Sequence, residues 1–308
     1  MSHTVTIDSI EAVDVRFLGG FLNNDSSDHG ASGSPRPLLL GTNWKMTKTI
    51  RESLEYMREL LERIDGIPGA GRLQLFVIPS HTAISAVRAA AGQRLWVGAQ
   101  NMHWAAEGAY TGEISGAMLK ELAVDLVELG HSERRQYFGE TDCQVNRKVL
   151  QALELGIRPL ICVGESREER EAAVGAEAVI RQAGIALHGV TAANAERLMV
   201  AYEPHWSIGT GGVPASAEYV RQVCNRLREA LERFFDPEAA ERIPLLYGGS
   251  VSLENASDLL NCGPVDGLFV GRTAWQPAGF AALIEMAIRR ARALDMAGRG
   301  TADTAPKA

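Results

Sequence analysis

Short apolar runs alternate with longer amphipathic segments from Leu38 to Leu294, and this alternation constrains the fold more than any other feature of the chain. The runs are apolar on consecutive residues, which is typical of strands whose two faces are both buried in a parallel sheet. Eight such runs predict eight strands: Leu38–Gly41, Leu73–Ile78, Leu95–Ala99, Asp125–Leu129, Pro159–Val163, Leu198–Ala201, Pro244–Leu246 and Gly267–Val270.

The segments between the runs carry apolar residues at three- and four-residue spacing, which predicts helices. The clearest are Thr49–Ile64, Thr82–Ala91, Asp142–Leu155, Ser216–Phe235 and Phe280–Leu294. Eight strand–helix units in about 260 residues predict an α/β fold with a single closed (β/α)8 barrel. A doubly wound open sheet is the structural alternative, but no glycine-rich dinucleotide fingerprint follows the first strand.

Both ends of the chain differ in composition from the barrel segment. We expect residues 1–37, rich in Gly, Asn, Asp and Ser after Gly19, to be a flexible N-terminal extension or the product of a misplaced start site. Residues 38–295 form the predicted barrel, and the small polar residues of 296–308 predict a disordered tail.

Composition excludes several classes of protein. The net charge of −7 argues against nucleic-acid binding as the main role. No segment has the roughly 20 apolar residues of a membrane span, so we expect no membrane contact. The four cysteines show neither paired nor metal-like spacing, which is typical of a reducing compartment and predicts a cytoplasmic protein.

Chemically active residues follow several of the predicted strands. Barrel enzymes carry their chemistry at the carboxyl ends of the strands, where this chain has Lys45, His131 and Glu203. Glu203 could remove a proton from a carbon beside a carbonyl, and His131 and Lys45 could stabilise the negative charge that develops on oxygen. Each residue alone carries little information, since a lone histidine is usually structural and a lone lysine usually solvated. Their occurrence at three strand ends favours a proton-transfer site.

Glycine-rich turns after the last two strands suit a phosphate group. Gly248, Gly249 and Ser250 follow the seventh strand, and Gly271 and Arg272 follow the eighth. Barrels commonly bind phosphate there through backbone N–H groups. Gly209, in the glycine-rich loop after Glu203, could add a donor when that loop closes. The alternative is that these are ordinary turns that need glycine for their backbone conformation.

The chain resembles triosephosphate isomerase over residues 38–294. The matching motifs are Asn43-Trp44-Lys45, Ala99-Gln100-Asn101, Tyr110-Thr111-Gly112-Glu113, Gly130-His131-Ser132-Glu133-Arg134-Arg135, Ala201-Tyr202-Glu203-Pro204 and Tyr247-Gly248-Gly249-Ser250-Val251. That enzyme is itself the standard example of a glutamate base acting with a neutral histidine. The resemblance implies a TIM barrel, assigns these two roles to Glu203 and His131, and makes Asn43 and Lys45 ligands of the substrate and its oxyanion.

The same resemblance implies supporting roles and an assembly. Ser132 would cap the helix whose dipole keeps His131 neutral, Glu133 would pair with Lys45, and Arg134 would support the site from behind. It also implies a homodimer in which Thr111 reaches the partner's active site. No metal and no organic cofactor are expected, and the implied ligand is a small phosphorylated sugar.

Several departures from the family pattern surround the expected ligand. Arg272 stands where a second glycine is usual, Leu268-Phe269 replaces the usual Phe-Leu, and Gly212 replaces a lysine at the end of the mobile loop. Together they resemble the erythrulose-phosphate isomerase branch. The predicted reaction is therefore interconversion of dihydroxyacetone phosphate and glyceraldehyde 3-phosphate, or of a four-carbon analogue, with L-erythrulose 1-phosphate as the alternative substrate. The Arg272 side chain either points outward or grips a phosphate oxygen itself.

Two functions from other classes remain as alternatives. A non-catalytic sugar-phosphate-binding barrel should have lost part of the base, electrophile or phosphate grip, whereas Glu203, His131 and Lys45 are all present. A metal-dependent barrel aldolase needs clustered histidine and carboxylate ligands, and only His131 lies at a predicted strand end.

Overall fold

A computed structural model of the protein describes residues 37–209 and 211–302, with side chains described up to residue 294. The N-terminal extension up to residue 36, Thr210 and residues 303–308 lie outside this part of the chain. The expectations for the extension and for the end of the tail therefore concern residues that the structure does not describe.

Eight parallel strands form a closed barrel, which confirms the predicted fold class. Each strand pairs with the next, and the eighth pairs with the first through Leu39–Thr42 and Gly267–Val270. The strands are β1 (Leu38–Asn43), β2 (Leu73–Ile78), β3 (Trp96–Ala99), β4 (Leu126–Leu129), β5 (Arg158–Val163), β6 (Met199–Tyr202), β7 (Leu245–Tyr247) and β8 (Gly267–Val270). The first strand continues beyond its predicted end at Gly41, because Asn43 still pairs with Ile78 of β2.

Eleven α-helices occur in the described residues. They are α1 (Ile50–Asp65), α2 (Ile84–Ala91), α3 (Gly116–Glu121), α4 (Ser132–Phe138), α5 (Asp142–Glu154), α6 (Arg167–Glu171), α7 (Gly175–Ala186), α8 (Ala217–Phe234), α9 (Pro237–Arg242), α10 (Ala256–Leu260) and α11 (Pro277–Ala302). All five helices predicted as clearest are present. The backbone of α11 stays helical to Ala302, so the tail expected to be disordered from residue 296 is helical over its first part.

Capping residues define where two of the long helices begin. Thr49 accepts the backbone N–H of Glu52 at the start of α1, while the Glu52 side chain accepts the N–H of Thr49. Thr141 and Gln144 form the same reciprocal pair at α5. Each such cap is worth about 0.5–2 kcal/mol relative to alanine.

Residues along each strand alternate between the barrel interior and the layer shared with the helices. In β4, Leu126 faces the interior, whereas Val127 and Leu129 pack in the outer layer. The interior cluster comprises Leu39, Phe76, Ile78, Leu126, Leu160, Cys162, Met199, Ala201, Leu246 and Phe269. This alternation determines which polar residues at the strand ends can face one another.

Two phenylalanines fill the middle of the barrel. The rings of Phe76 and Phe269 lie 5.6 Å apart, centroid to centroid. Gly41 leaves the space for one of them, because a Cβ atom there would lie 2.1 Å from the Phe76 ring. The interior is therefore a packed core, and any ligand must bind above it, at the carboxyl ends of the strands.

Candidate active site

Polar side chains meet above this core, at the end of the barrel where the strands finish. Asn43 ends β1, Glu128 lies two positions after the inward-facing Leu126 of β4, and Glu203 lies two positions after the inward-facing Ala201 of β6. All three are buried, with 7%, 0% and 2% of their surface exposed. The period of two along a strand therefore directs all three side chains into the same layer.

Glu203 lies directly beside His131. Its Oε2 is 3.7 Å from Nε2 of the imidazole and has no hydrogen-bond partner among the described residues. Burial raises the pKa of the Glu203 carboxyl, and the charge of Lys45 partly opposes that shift. Gly248 makes room for this side chain, because a Cβ atom at that position would lie 2.8 Å from Glu203 Oε1. The result is a strongly basic carboxylate that faces a cavity.

His131 precedes α4 and caps it with its own ring. The Nδ1 atom accepts the backbone N–H of Glu133 at 3.1 Å, so the proton of the neutral imidazole lies on Nε2. Burial, followed by the charge of Lys45, lowers the pKa of His131 to about 3. The imidazole is therefore a neutral hydrogen-bond donor to whatever lies in front of Glu203.

The capping role expected of Ser132 belongs to His131 instead. Ser132 is the first residue of α4, one position too late for its hydroxyl to accept an N–H of the first turn. Ser132 is buried beside the histidine. The physical reason is the helix start, since α4 begins immediately after His131.

Lys45 contributes its ammonium group from the loop after β1. Its Nζ lies 2.6 Å from Oε1 of Glu133, which is the pair expected from the sequence. The backbone of Lys45 is in the left-handed region, with φ of 53°, a costly conformation for a non-glycine residue. The Asn43 side chain stabilises it by accepting the Lys45 N–H at 2.5 Å, and Gln100 donates to the Lys45 carbonyl at 2.7 Å.

Asn43 is held on three sides. Its Oδ1 accepts from the Lys45 backbone, its Nδ2 donates to Glu128 Oε2 at 2.5 Å, and its carbonyl accepts from Trp275 Nε1 at 2.8 Å. These contacts define the orientation of the amide, because the oxygen and nitrogen each have one possible partner type. The second N–H of the amide remains for a ligand.

Glu128 is the residue of this site that sequence reasoning missed. Its Oε1 lies 3.9 Å from His131 Nε2 and 3.8 Å from the Cys162 thiol. Burial, followed by the charge of Glu203, raises its pKa well above the ordinary range. The available signal was an acidic residue inside an otherwise apolar strand, between Val127 and Leu129. The strand pattern could have shown that Glu128 faces inward.

The glycine-rich turns line the other end of the same cavity, whose volume is about 700 Å³. Gly209, Gly248, Gly249, Ser250, Gly271 and Arg272 all contribute to its wall, together with Asn43, Lys45, His131, Glu133 and Glu203. The structure thus brings the expected phosphate-binding and proton-transfer residues to one cavity. The Arg272 guanidinium lies 3.4 Å from the Gly209 carbonyl, across the mouth of the cavity.

Two further predicted residues lie away from the cavity wall. Arg134 contacts Glu140 at 3.3 Å, and Glu140 accepts the Gly130 N–H at 3.1 Å, so Arg134 acts on the turn that precedes His131. Thr111 is exposed on the segment between His103 and Ser115 and does not line the cavity.

The segment after Glu203 is anchored at its start by Glu165. Oε1 of Glu165 accepts hydrogen bonds from Tyr202 at 3.1 Å, Trp206 at 2.8 Å and Tyr219 at 3.0 Å. These residues come from β6, from the turn that follows it and from α8. The glycines beyond, Gly209 and Gly211, have φ of 85° and 88°, and they can change conformation without steric cost.

One group of potential metal ligands occurs in the described residues. The ligand atoms of Glu128, Cys162 and Glu203 lie within 4.8 Å of one another, and all three side chains are buried. A metal-dependent aldolase requires clustered histidine and carboxylate ligands. The histidine beside this group is His131, and its Nε2 carries the ring proton, so in this tautomer that nitrogen cannot bind a metal. These residues therefore do not fit the metal site that such an enzyme needs. Within residues 37–209 and 211–302, the helices also include none with the length and apolar character needed to cross a bilayer.

Comparison with known proteins points to one family. The family model described as triosephosphate isomerase matches residues 38–287. A protein of Mycolicibacterium smegmatis named L-erythrulose-1-phosphate isomerase is 44% identical over 83% of this chain and 95% of its own length. A triosephosphate isomerase of Acetivibrio thermocellus is 45% identical over 77% of this chain and 92% of its own length. An L-erythrulose-1-phosphate isomerase of Mesorhizobium japonicum is 46% identical over 78% of this chain and 93% of its own length. The chain therefore belongs to the triosephosphate isomerase family and is an isomerase.

Proposed function

We propose that the protein isomerises a small phosphorylated ketose through an enediolate, with Glu203 as the base. The observation that carries this proposal is the position of the Glu203 carboxylate, 3.7 Å from the Nε2 of a neutral His131, on one cavity. A positioned base contributes about 10²–10⁴ in rate, and one well-aimed donor adds about 10²–10³. A carbon acid beside a carbonyl needs both, and this cavity offers both.

The reaction moves two protons: one passes between neighbouring carbons by way of Glu203, and one passes between the oxygens on those carbons. Glu203 removes a proton from the carbon next to the carbonyl, and the electron pair of that C–H bond moves towards the carbonyl oxygen. The Nε2–H of His131, the ammonium group of Lys45 and the free N–H of Asn43 stabilise the negative charge on that oxygen. The hydroxyl proton on the neighbouring carbon passes to the former carbonyl oxygen, which moves the negative charge to the other oxygen. Glu203 then returns its proton to the former carbonyl carbon while the new C=O bond forms at the neighbouring carbon. The phosphate is held by the backbone N–H groups of the glycine-rich turns at Gly209, Gly249, Ser250 and Gly271.

The substrate that we propose is L-erythrulose 1-phosphate, with D-erythrulose 4-phosphate as the product. Two of the three relatives described above bear that activity in their names. Phe269 and Arg272, two of the departures from the usual family pattern, both line the cavity. L-Erythrulose 1-phosphate differs from dihydroxyacetone phosphate by one hydroxymethyl group on the carbon that loses its proton. One carbon unit of pocket fit is worth about 1–3 kcal/mol, so a few substitutions suffice to change the preference.

The second candidate is interconversion of dihydroxyacetone phosphate and glyceraldehyde 3-phosphate. The Acetivibrio relative, of nearly the same identity, bears the name of that activity. Comparing kcat/KM for dihydroxyacetone phosphate and L-erythrulose 1-phosphate decides between the two. We expect the four-carbon substrate to be preferred by more than about tenfold, the value of one well-fitted carbon unit. A preference of that size for the three-carbon substrate would assign the protein to triose phosphates.

The catalytic assignment is tested with Glu203→Gln, which keeps the shape of the side chain and removes the base. Turnover should fall by at least about 10²–10⁴, while a phosphorylated substrate analogue still binds. Glu55→Gln, on the exposed face of α1 with 63% of its side chain exposed, is the matched control and should be as active as wild type. Near-normal turnover in Glu203→Gln would remove this residue from the mechanism.

We propose further that the working form is a homodimer. Met46, which follows the active-site lysine, is 97% exposed, and Tyr110, beside Thr111, is 46% exposed. Large apolar side chains at such positions favour burial by a second copy. Sedimentation velocity should give the mass of a dimer at micromolar concentration. A monomer of full activity would contradict both the assembly and the role of Thr111.

We also propose a cytoplasmic enzyme that uses neither metal nor organic cofactor. The free thiols of Cys143, Cys162, Cys224 and Cys262 support a reducing compartment. Base, electrophile and phosphate donors all come from the chain itself. Dialysis against a chelator should therefore leave kcat unchanged, and restoration of lost activity by a divalent cation would contradict this part of the proposal.

A further inference from the structure

Glu128 is a buried acid beneath the catalytic pair, and the mechanism above does not use it. It is 0% exposed, and its Oε2 is occupied by the Asn43 amide at 2.5 Å. Its Oε1 lies 3.9 Å from His131 Nε2, and the carboxyl oxygens of Glu128 and Glu203 lie within 4.8 Å of each other. Two acids thus flank the same imidazole nitrogen.

Within residues 37–209 and 211–302, no strong cation forms an ion pair with Glu128. Its only contact of ion-pair length in that part of the chain is with His131, whose imidazole is neutral. The nearby Lys45 ammonium is 2.6 Å from Glu133 and is therefore already paired. Two carboxylates this close in a buried site cannot both be charged without a large cost.

We propose that Glu128 stays protonated in the working enzyme and forms, with Glu203, a two-carboxyl unit that holds one proton between substrate turnovers. The proposal rests on the proposed function, because it assumes that Glu203 is the base. Oε1 carries the proton, since Oε2 accepts the hydrogen bond from Asn43. Glu128 is thus a positioning residue: it keeps Glu203 ionised beside it and holds the Asn43 amide.

The proton balance explains why this state suits catalysis. Before the reaction, Glu203 is a carboxylate and Glu128 is a carboxylic acid. After proton abstraction, Glu203 carries the substrate proton, Glu128 keeps its own, and the single negative charge lies on the enediolate. If Glu128 were ionised, a second anion would lie under that enediolate and oppose its formation.

The groups that face Glu128 come from four elements around it. They are Asn43 and Lys45 after β1, His131 and Glu133 around the start of α4, Cys162 on β5 and Glu203 after β6. Lys45 favours ionisation of Glu128, whereas Glu203 and Glu133 oppose it, and burial opposes it most. Burial and the two negative charges together outweigh Lys45 and favour the protonated form of Glu128. The short distance between the carboxyl oxygens of Glu128 and Glu203 favours the same form.

The pH dependence of kcat/KM tests the proposal. The wild type should lose activity at high pH as the shared proton dissociates, because the doubly ionised pair disfavours the enediolate. In Glu128→Gln the side chain is permanently neutral, so this fall should disappear or move up by about one pH unit or more. Near neutral pH the variant should stay within about tenfold of wild type, because glutamine still accepts from Asn43. An unchanged profile would overturn the proposal.

A second variant separates the proton from the hydrogen bond. Glu128→Leu also lacks the proton, so it too should lack the fall at high pH. It further leaves Asn43 without an acceptor, and kcat should be at least about tenfold below that of Glu128→Gln. Equal kcat values in the two variants would overturn the positioning of Asn43 by Glu128. Melting temperatures of both variants verify that the barrel is intact.

A spectroscopic measurement gives a readout that does not depend on turnover. Infrared difference spectra of wild type minus Glu128→Gln at neutral pH should contain the carbonyl stretch of a protonated carboxylic acid. Absence of this carbonyl band would show that Glu128 is ionised and would contradict the proposal. Near-normal activity in Glu203→Gln would contradict the proposed function. If Glu203→Gln is inactive but Glu128→Gln has the pH profile of wild type, only the shared proton is contradicted.

Discussion

The backbone N–H of Glu133 donates to His131 Nδ1 at 3.1 Å, and this one hydrogen bond determines which nitrogen of the imidazole can donate to the substrate. With Nδ1 occupied as an acceptor, the ring proton lies on Nε2, the atom that faces Glu203 at 3.7 Å. The helix start therefore supplies both the orientation and the tautomer of the electrophile.

His131 should remain neutral across the working pH range. Burial and the Lys45 charge lower its pKa to about 3, so the ring loses its proton well below neutrality. Nitrogen-15 NMR of histidine-labelled protein should report an Nε2–H tautomer that does not titrate between about pH 5 and pH 9. The exposed His188 provides a reference signal in the same sample. An imidazolium signal from His131 near neutrality would contradict the role of neutral donor.

Removing the buried acid should change how stability depends on pH. The pKa of Glu128 is raised on folding, so the folded state retains a proton that the unfolded chain releases. The stability that this one group contributes is then fully present below the ordinary glutamate pKa and is lost as pH rises towards the raised pKa. The fall in the free energy of unfolding is about 1.4 kcal/mol for each pH unit between those two pKa values.

Glu128→Gln should remove this contribution, so its melting temperature should fall less than that of wild type as pH rises. Scanning calorimetry over the same pH series measures both proteins. If the melting temperatures of the two proteins change with pH in parallel, the carboxyl of Glu128 has the same pKa in the folded and unfolded states.

A methyl group at Gly248 should disturb the base without unfolding the barrel. Its Cβ would lie 2.8 Å from Glu203 Oε1, so the carboxylate must move away from the substrate. A displacement of about 1 Å costs about 10² in rate, and Gly248→Ala should lose about that much in kcat. In Gly71→Ala, the control, the added atom meets nothing within 4 Å, and wild-type kinetics are expected. Full activity of Gly248→Ala would show that Glu203 tolerates the shift.

Loss of the Lys45 ammonium should affect the transition state. Lys45→Met keeps the length of the side chain and removes a charge that faces the enediolate, and kcat/KM should fall by about 10²–10³. Lys120→Met, at an exposed position of α3, serves as the control. A fall in the control variant of the same size would show that the effect is not specific to the site.

Sequence patterns were sufficient for much of this site. Apolar runs located all eight strands, and the residues after them included Lys45, His131 and Glu203, because a barrel brings the carboxyl ends of its strands to one rim. The glycine clusters after β7 and β8 were likewise placed on the correct cavity. Boundaries were less accurate: β1 continues to Asn43 because pairing with β2 does not stop where the apolar run ends.

The residue that was missed and the residue that was misassigned have different physical causes. Whether Glu128 faces the interior depends on the alternation of β4 and on the register of a closed barrel, and its contact with Asn43 joins positions 85 residues apart. Ser132 was expected to be a cap because caps are usually hydroxyl or amide side chains, but the helix begins one residue too early for it.

The amino-acid sequence by itself determined the number of strands, the closure of the barrel and the chemical groups available at its mouth, since these follow from local patterns and their order along the chain. Tertiary structure alone decided which carboxyl groups lie side by side and which nitrogen of His131 donates. Those outcomes depend on distances of a few ångströms and on burial, and both arise only when strands remote in sequence are brought together around one core.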